Sequence, residues 1–145
     1  MSNVNEQLEM KGHLKIELNG ELVRDIDNLV VTAGKGFVAS RMIGTSSGVM
    51  THMAVGTGTT DPAAGDTALE TQVGSRKAFT TSASVSGAVV TYVCAFSAGE
   101  GTGALTEAGI FNASSSGTML CRTEFNVVNK GASDSMTITW TVTVS

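Results

Sequence analysis

The stretch from Asp134 to Ser145 constrains the fold of this chain more than any other. Met136, Ile138, Trp140, Val142 and Val144 share one parity, while Thr137, Thr139, Thr141 and Thr143 take the other. Strict period-two alternation, in residues that suit a pleated surface, predicts a β-strand with one buried face. At ~3.3 Å per residue such a run extends roughly 35 Å, long for a small domain. Its apolar parity needs a covering layer, and it carries the only tryptophan of the chain. Trp140 is therefore a candidate structural residue of the core.

The remaining segments supply that layer. His13 to Leu18 alternates with Leu14, Ile16 and Leu18 inward, and Asn19-Gly20 follows as a hairpin signal. Glu21 to Ile26 returns as the second strand and leads into Asn28-Leu-Val-Val31. Thr32 to Ile43 is the helix candidate, with Phe37, Val38, Arg41, Met42 and Ile43 on one face and Gly44 as its C-terminal cap. Gly34 and Gly36 weaken its start. Thr51 to Val55 reads as a short buried strand. Thr67 and Glu70 have capping-box spacing, which predicts a single helical turn over 66–70.

Arg76 to Ser84 and Val89 to Ala98 read as strands turning at Ser86-Gly87. The second is apolar on both parities, which predicts a central, sandwiched position. Leu105 to Asn112 and Thr118 to Val128 are two further strands, joined by the turn 114–117. About eight strands and one short helix near residues 33–43 imply a mainly all-β single domain, a β-sandwich with jelly-roll-like character or a partly closed barrel. Residues 1–11 form an N-terminal arm and 12–145 the β-sandwich domain. In the arm, Val4, Leu8 and Met10 are isolated apolar residues able to order against a neighbouring subunit.

The chemistry of the chain is sparse. A net charge of −4, with nine basic residues scattered along the sequence, argues against a nucleic-acid face. No apolar run reaches the ~20 residues of a membrane span, and no signal peptide is visible at the N-terminus. Without an export signal, Cys94 and Cys121 read as reduced, buried small apolar side chains. A disulfide between neighbouring strands is the alternative.

Gly56-Thr-Gly-Thr-Thr60 lacks the Lys-Ser/Thr ending of a phosphate loop. Gly99-Glu-Gly-Thr-Gly103 precedes a strand where a dinucleotide fingerprint precedes a helix, so it reads as a hairpin loop requiring positive φ. His13 and His52 are isolated, and a catalytic pair would require the fold to bring one of them to Asp66 or Glu107. No Ser lies in a nucleophile elbow. Asp61, Asp66 and Glu70 match no calcium loop and read as capping or solvated residues. Asn112-Ala-Ser114 is a glycosylation sequon in form, relevant only to a secreted protein. The reading is no catalytic, cofactor-binding or metal-binding residue, no small-molecule substrate, and no enzyme.

Glu107 interrupts the apolar run Ala104 to Phe111. A carboxylate there either faces water or meets a buried donor, with Arg76, Lys77, Arg122 and Lys130 the candidates. In the second case a Glu–Arg pair fixes strand register or a subunit contact.

Several segments are familiar together: Asn28-Leu-Val-Val-Thr-Ala-Gly-Lys35, His52-Met-Ala-Val-Gly-Thr-Gly-Thr-Thr60, Asp66-Thr-Ala-Leu-Glu70, Leu105-Thr-Glu-Ala-Gly-Ile-Phe-Asn112, Gly117-Thr-Met-Leu120, and Asn129-Lys-Gly through Ile138-Thr-Trp140. In this order the chain resembles a family of small structural proteins of tailed bacteriophages, over roughly residues 12–144. The resemblance implies a non-enzymatic virion component, made in the host bacterial cytoplasm, and carries over no catalytic residue. Within that class the leading expectation is a capsid decoration (cement) protein, a homo-oligomer on the capsid surface that binds major capsid protein subunits. A tail-fibre or baseplate module is the alternative, and a carbohydrate-binding module the third reading. Candidate partner contacts are Val4, Leu8 and Met10 in the arm, Thr57, Thr59 and Asp61 in the loop 56–66, and Glu100 and Thr102 in the loop 97–104, since loops on a rigid sandwich commonly carry recognition.

Overall fold

The structure, a computed structural model, describes residues 7–44 and 48–145. Among the described residues, nine strands and one helix follow in chain order: β1 (Met10–Leu18), β2 (Glu21–Val30), α1 (Thr32–Arg41), β3 (His52–Gly56), β4 (Lys77–Ala78), β5 (Thr81–Ser86), β6 (Val89–Phe96), β7 (Gly103–Phe111), β8 (Met119–Lys130) and β9 (Met136–Val144). The chain is an all-β single domain. Its strands form one curled antiparallel sheet in the order β4-β3-β7-β8-β2-β1-β9-β6-β5.

Strand β2 makes the curl. Its residues Glu21 to Asn28 pair with β1, while Leu29 and Val30 pair with β8. One half of the sheet (β1, β9, β6, β5) thus folds over the other (β8, β7, β3, β4), sandwich-fashion, and the two inner faces share one core. Leu14, Ile16, Ile138, Trp140 and Phe96 come from the first half; Val55, Leu105, Ile110, Cys121 and Phe125 come from the second. The far edges meet through the segment linking β4 to β5. Phe79 N donates to Thr51 O at 3.0 Å and Thr80 N to Val93 O at 3.1 Å, in opposite directions from adjacent residues, as the strand alternation dictates.

The alternating strand β9 lies between β1 and β6, with Met136, Ile138, Trp140 and Val142 buried. The β1–β2 hairpin turns at Asn19 (φ 52°) and Gly20 (φ 83°), the positive φ pair of a type I′ turn. The sheet begins earlier than the proposed arm boundary. Met10 already pairs with Val144, and Glu9 exchanges backbone hydrogen bonds with Ser145. Val4 lies outside the described residues.

Two local expectations are corrected. Residues 66–70 form no helical turn, because Glu70 is recruited elsewhere: its backbone N–H goes to Glu107 and its carboxylate to Thr59 and Thr60. Strand β6 is next to the sheet edge, and Val89, Thr91 and Val93 on its outer parity are half-buried. The strand covered on both faces is β7. Its Leu105, Ala108 and Ile110 enter the main core, while Phe111 joins Val31, Ala54 and Met119 in a second small core on the outer face, with Leu69 packed on it.

Helix α1 holds to the fold by a glycine. Only Gly34 of its residues is buried, and a Cβ there would overlap the Leu120 carbonyl of β8. The same glycine that lowers helix propensity thus allows the helix backbone to touch the sheet. Phe37 and Val38 pack partly on the core, whereas Met42 and Ile43, expected on the same face, project past the helix end and are exposed. Gly44 (φ 66°) follows, its N–H returning to Arg41 O.

Gly34→Ala is expected to cost ~1–3 kcal/mol, as overpacking does, because the clashing atom is backbone. Gly36→Ala should be neutral or gain roughly 0.5–1 kcal/mol, since its Cβ meets open space. Denaturant unfolding of the two variants checks the contrast. Equal effects would mean that the helix does not depend on this approach.

Candidate functional site

A buried polar constellation is built around Glu107 and lies beneath the segment that links β3 to β4. Glu107 is fully buried, and Arg122 nearly so. The β7–β8 register pairs Gly109 with Arg122 and Glu107 with Glu124, so Arg122 sits diagonally across from the carboxylate. Long side chains reach across that diagonal. Arg122 Nε and Nη2 meet Glu107 Oε1 at 3.1 and 3.0 Å. Of the four candidate cations, only Arg122 pairs with Glu107. Arg76 stacks over Phe111, Lys77 binds Glu100, and buried Lys130 donates to Ser97 O.

Three backbone amides complete the carboxylate's shell. Gly58 N and Thr71 N donate to Oε2 at 2.7 and 2.8 Å, and Glu70 N donates to Oε1 at 2.9 Å. Arg122 reaches outward to Asp66 Oδ2 at 3.1 Å and to Thr60 O at 3.0 Å. Every partner outside the sheet belongs to residues 58–71, so the ion pair pins this segment onto β7 and β8. Glu70 ties the segment to itself, and the Thr60 hydroxyl and then the Thr59 N–H hold its carboxyl below the usual carboxylate range.

The Gly56-Thr-Gly motif takes its physical explanation from this geometry. A Cβ on Gly58 would run into the Glu107 carboxylate, and one on Gly56 would come within 2.6 Å of Oε2. These glycines admit a carboxylate of the protein itself. The arrangement supplies no open nucleophile–base pair, and its charges are satisfied internally.

Neither histidine joins it. His13, on the outer face of β1, has Nδ1 2.7 Å from Asp27 Oδ1 and Nε2 against Asp25. Only an imidazolium donates from both nitrogens. Asp27 foremost, and then Asp25, raises its pKa above the ordinary 6.5. His52 accompanies Thr51 and Arg76, and desolvation followed by the Arg76 charge lowers its pKa. Cys94 and Cys121 are free and buried, which pushes the Cys94 thiol up to about 12 and Cys121 well above its ordinary value. Among the described residues no group of three or more His, Cys, Asp or Glu side chains could hold a metal ion.

No family model matches the chain, and neither does any curated protein or solved structure.

The structure divides the candidate contact residues between two places. Leu8 and Met10 lie beside Ser145 and a groove along Val38, Ala39 and Met42 of α1. Glu100 and Thr102 precede β7 at its opposite end, where the segment holding Thr57, Thr59 and Asp61 leaves β3 next to Glu107. Thr59, Asp61 and Thr102 are exposed. Thr57 N is bonded to Thr71 O, and Glu100 is tied to Lys77 at 2.7 Å and to Ser97 N at 2.8 Å, so these two serve their own loops first.

The histidines set a pH dependence with two opposed arms. The raised pKa of His13 gives stability that is complete below the unfolded value of about 6.5 and is lost as pH rises through the folded value. The lowered pKa of His52 gives the reverse: stability present above about 6.5 and lost as pH falls toward the folded value. Both groups are partly exposed, so the amplitude is small. His13→Asn should flatten the alkaline arm and His52→Asn the acidic arm of an unfolding-midpoint profile. A His13→Asn profile that keeps the alkaline fall would assign it to another group.

Proposed function

We propose that this chain is a structural protein of a tailed-phage virion, a capsid decoration protein that binds major capsid subunits and stabilises the head. One observation carries most of the support. Three of the six segments on which the resemblance rests, 52–60, 66–70 and 105–112, converge on the Glu107–Arg122 pair, where their charged groups hold chain to chain. Such an interior suits a rigid scaffold that acts through its surface. Chemistry on a substrate would require polar groups aimed into an open cleft.

Rigid loops at one end of the sandwich, with Thr59, Asp61 and Thr102 exposed, are the contact elements this reading assigns. Repeated weak contacts between a shell and many copies gain from effective concentration. A carbohydrate-binding role draws little support, since Trp140 is fully buried and Tyr92 packs on the core against Phe79.

Gold-labelled antibody against this protein, viewed on intact particles, tests the reading. Label over the head supports decoration. Label confined to the tail makes the tail-fibre or baseplate reading correct, and particles free of label overturn the virion assignment.

A further inference from the structure

Strand β5 is the end of the sheet, and all six of its residues are exposed. It pairs with β6 on one side; among the described residues, no backbone hydrogen bond reaches its other side. An unpaired edge is a template for another strand, and monomeric proteins blunt such edges with charge or proline. Here the blunting is missing. From Ala78 to Gly99 the chain has no charged residue and no proline, although it carries a net charge of −4. A bulge between Thr81 and Ser84 is the one protective device, and it leaves Ser84, Val85 and Ser86 in regular register.

The free side of β5 is also apolar. It diverges from the residues leading into β3 and leaves a groove of about 310 Å³ between β5 and α1, lined by Phe37, Val49, Met50, Val85 and Tyr92, with Arg41 of α1 the one charged residue on its wall among the described residues. Val85 is 70% exposed and Val49 56%. A slot with an unpaired backbone on one wall and an apolar floor fits an extended strand.

We propose that this slot is filled by β5 of a second copy, so that two β5 strands pair antiparallel about a two-fold axis near Val85. Charge selects this occupant. Two copies with the same net sign repel over most of their surfaces, and the charge-free β5–β6 hairpin is where they approach without that opposition. A two-fold contact places each residue against its own set. With the axis at Val85, Ser84 faces Ser86 and Val85 faces Val85, so no like charges meet. The pairing extends the curled sheet across both molecules and covers both grooves. It stands independently of the virion reading.

Sedimentation velocity of the full chain over a roughly hundredfold dilution series tests the proposal. The expected result is a dimer that dissociates on dilution. Val85→Lys should weaken it at least tenfold by setting two lysines against each other, and should leave the unfolding midpoint unchanged at dilutions where both proteins are monomeric, because Val85 is 70% exposed in the single chain. Leu22→Lys, on the central strand β2 and 51% exposed, should leave the dimer intact. A chain monomeric at every concentration overturns the proposal. So does a dimer that tolerates Val85→Lys, or one that both lysine variants weaken equally.

Discussion

Glu107→Ala is expected to lower the stability of the domain by ~3–5 kcal/mol, the range for removing one partner of a buried ion pair. The reason lies in what the substitution leaves behind. Arg122, 2% exposed, would keep its charge in the interior with only Asp66 and the Thr60 carbonyl as partners. Gly58, Glu70 and Thr71 would each lose the acceptor of a backbone N–H. An orphaned buried donor costs ~1–3 kcal/mol where water cannot reach it. Part of that cost is relieved if the segment 58–71 lifts from the sheet, which would in turn uncover Leu69 and the small core around Phe111.

Linear extrapolation of denaturant unfolding measures the loss, and hydrogen exchange at Gly58 and Thr71 locates it. The same measurement on Glu107→Leu with Arg122→Met separates charge from packing. If the penalty of the single variant is mostly stranded charge, the double variant should recover much of it. A loss under ~1 kcal/mol for Glu107→Ala would contradict the anchoring role, being no more than a surface ion pair contributes.

What was legible in the sequence follows the range of the interactions concerned. Strand β9 and the Asn19-Gly20 hairpin were readable because alternation and turn chemistry are local. Glu107 was readable as an anomaly, a carboxylate in an apolar run, but its partner was one of four cations. Choosing Arg122 requires the offset that sets Gly109 opposite Arg122, a long-range property of the β7–β8 register. The capping box at Thr67 and Glu70 was a sound local signal overruled from a distance, since Glu107 claims the Glu70 amide. Glycines 34, 56 and 58 share that character. Each is required by a group remote in sequence, Leu120 or Glu107, and no local pattern distinguishes them from loop glycines. The exposed groove is long-range too, combining α1, the residues before β3, and the β5–β6 hairpin.

Trp140→Ala is expected to cost ~3–5 kcal/mol as well, through a cavity that the sheet cannot close. Trp140 has no exposed surface, and its register partners on either side are Leu14 of β1 and Tyr92 of β6. Those strands are fixed by continuous ladders on both sides of β9, so the backbone has little freedom to collapse into the space. The indole also has a polar duty: Nε1 donates to Asn28 Oδ1 at 2.8 Å. Asn28 lies in β2 where that strand passes between the two halves of the sheet, opposite Gly12, whose missing side chain makes room for the amide. Trp140→Phe separates the two contributions, because it keeps most of the apolar volume and deletes the donor. Its expected cost is ~1–3 kcal/mol, the price of a buried acceptor left unpaired. Denaturant unfolding of both variants gives the comparison. If Trp140→Phe loses as much as Trp140→Ala, the bond to Asn28, and with it the crossing of β2, dominates over the filling of the core. If Trp140→Ala changes stability by less than ~1 kcal/mol, the alternating face of β9 is not what holds the two halves together.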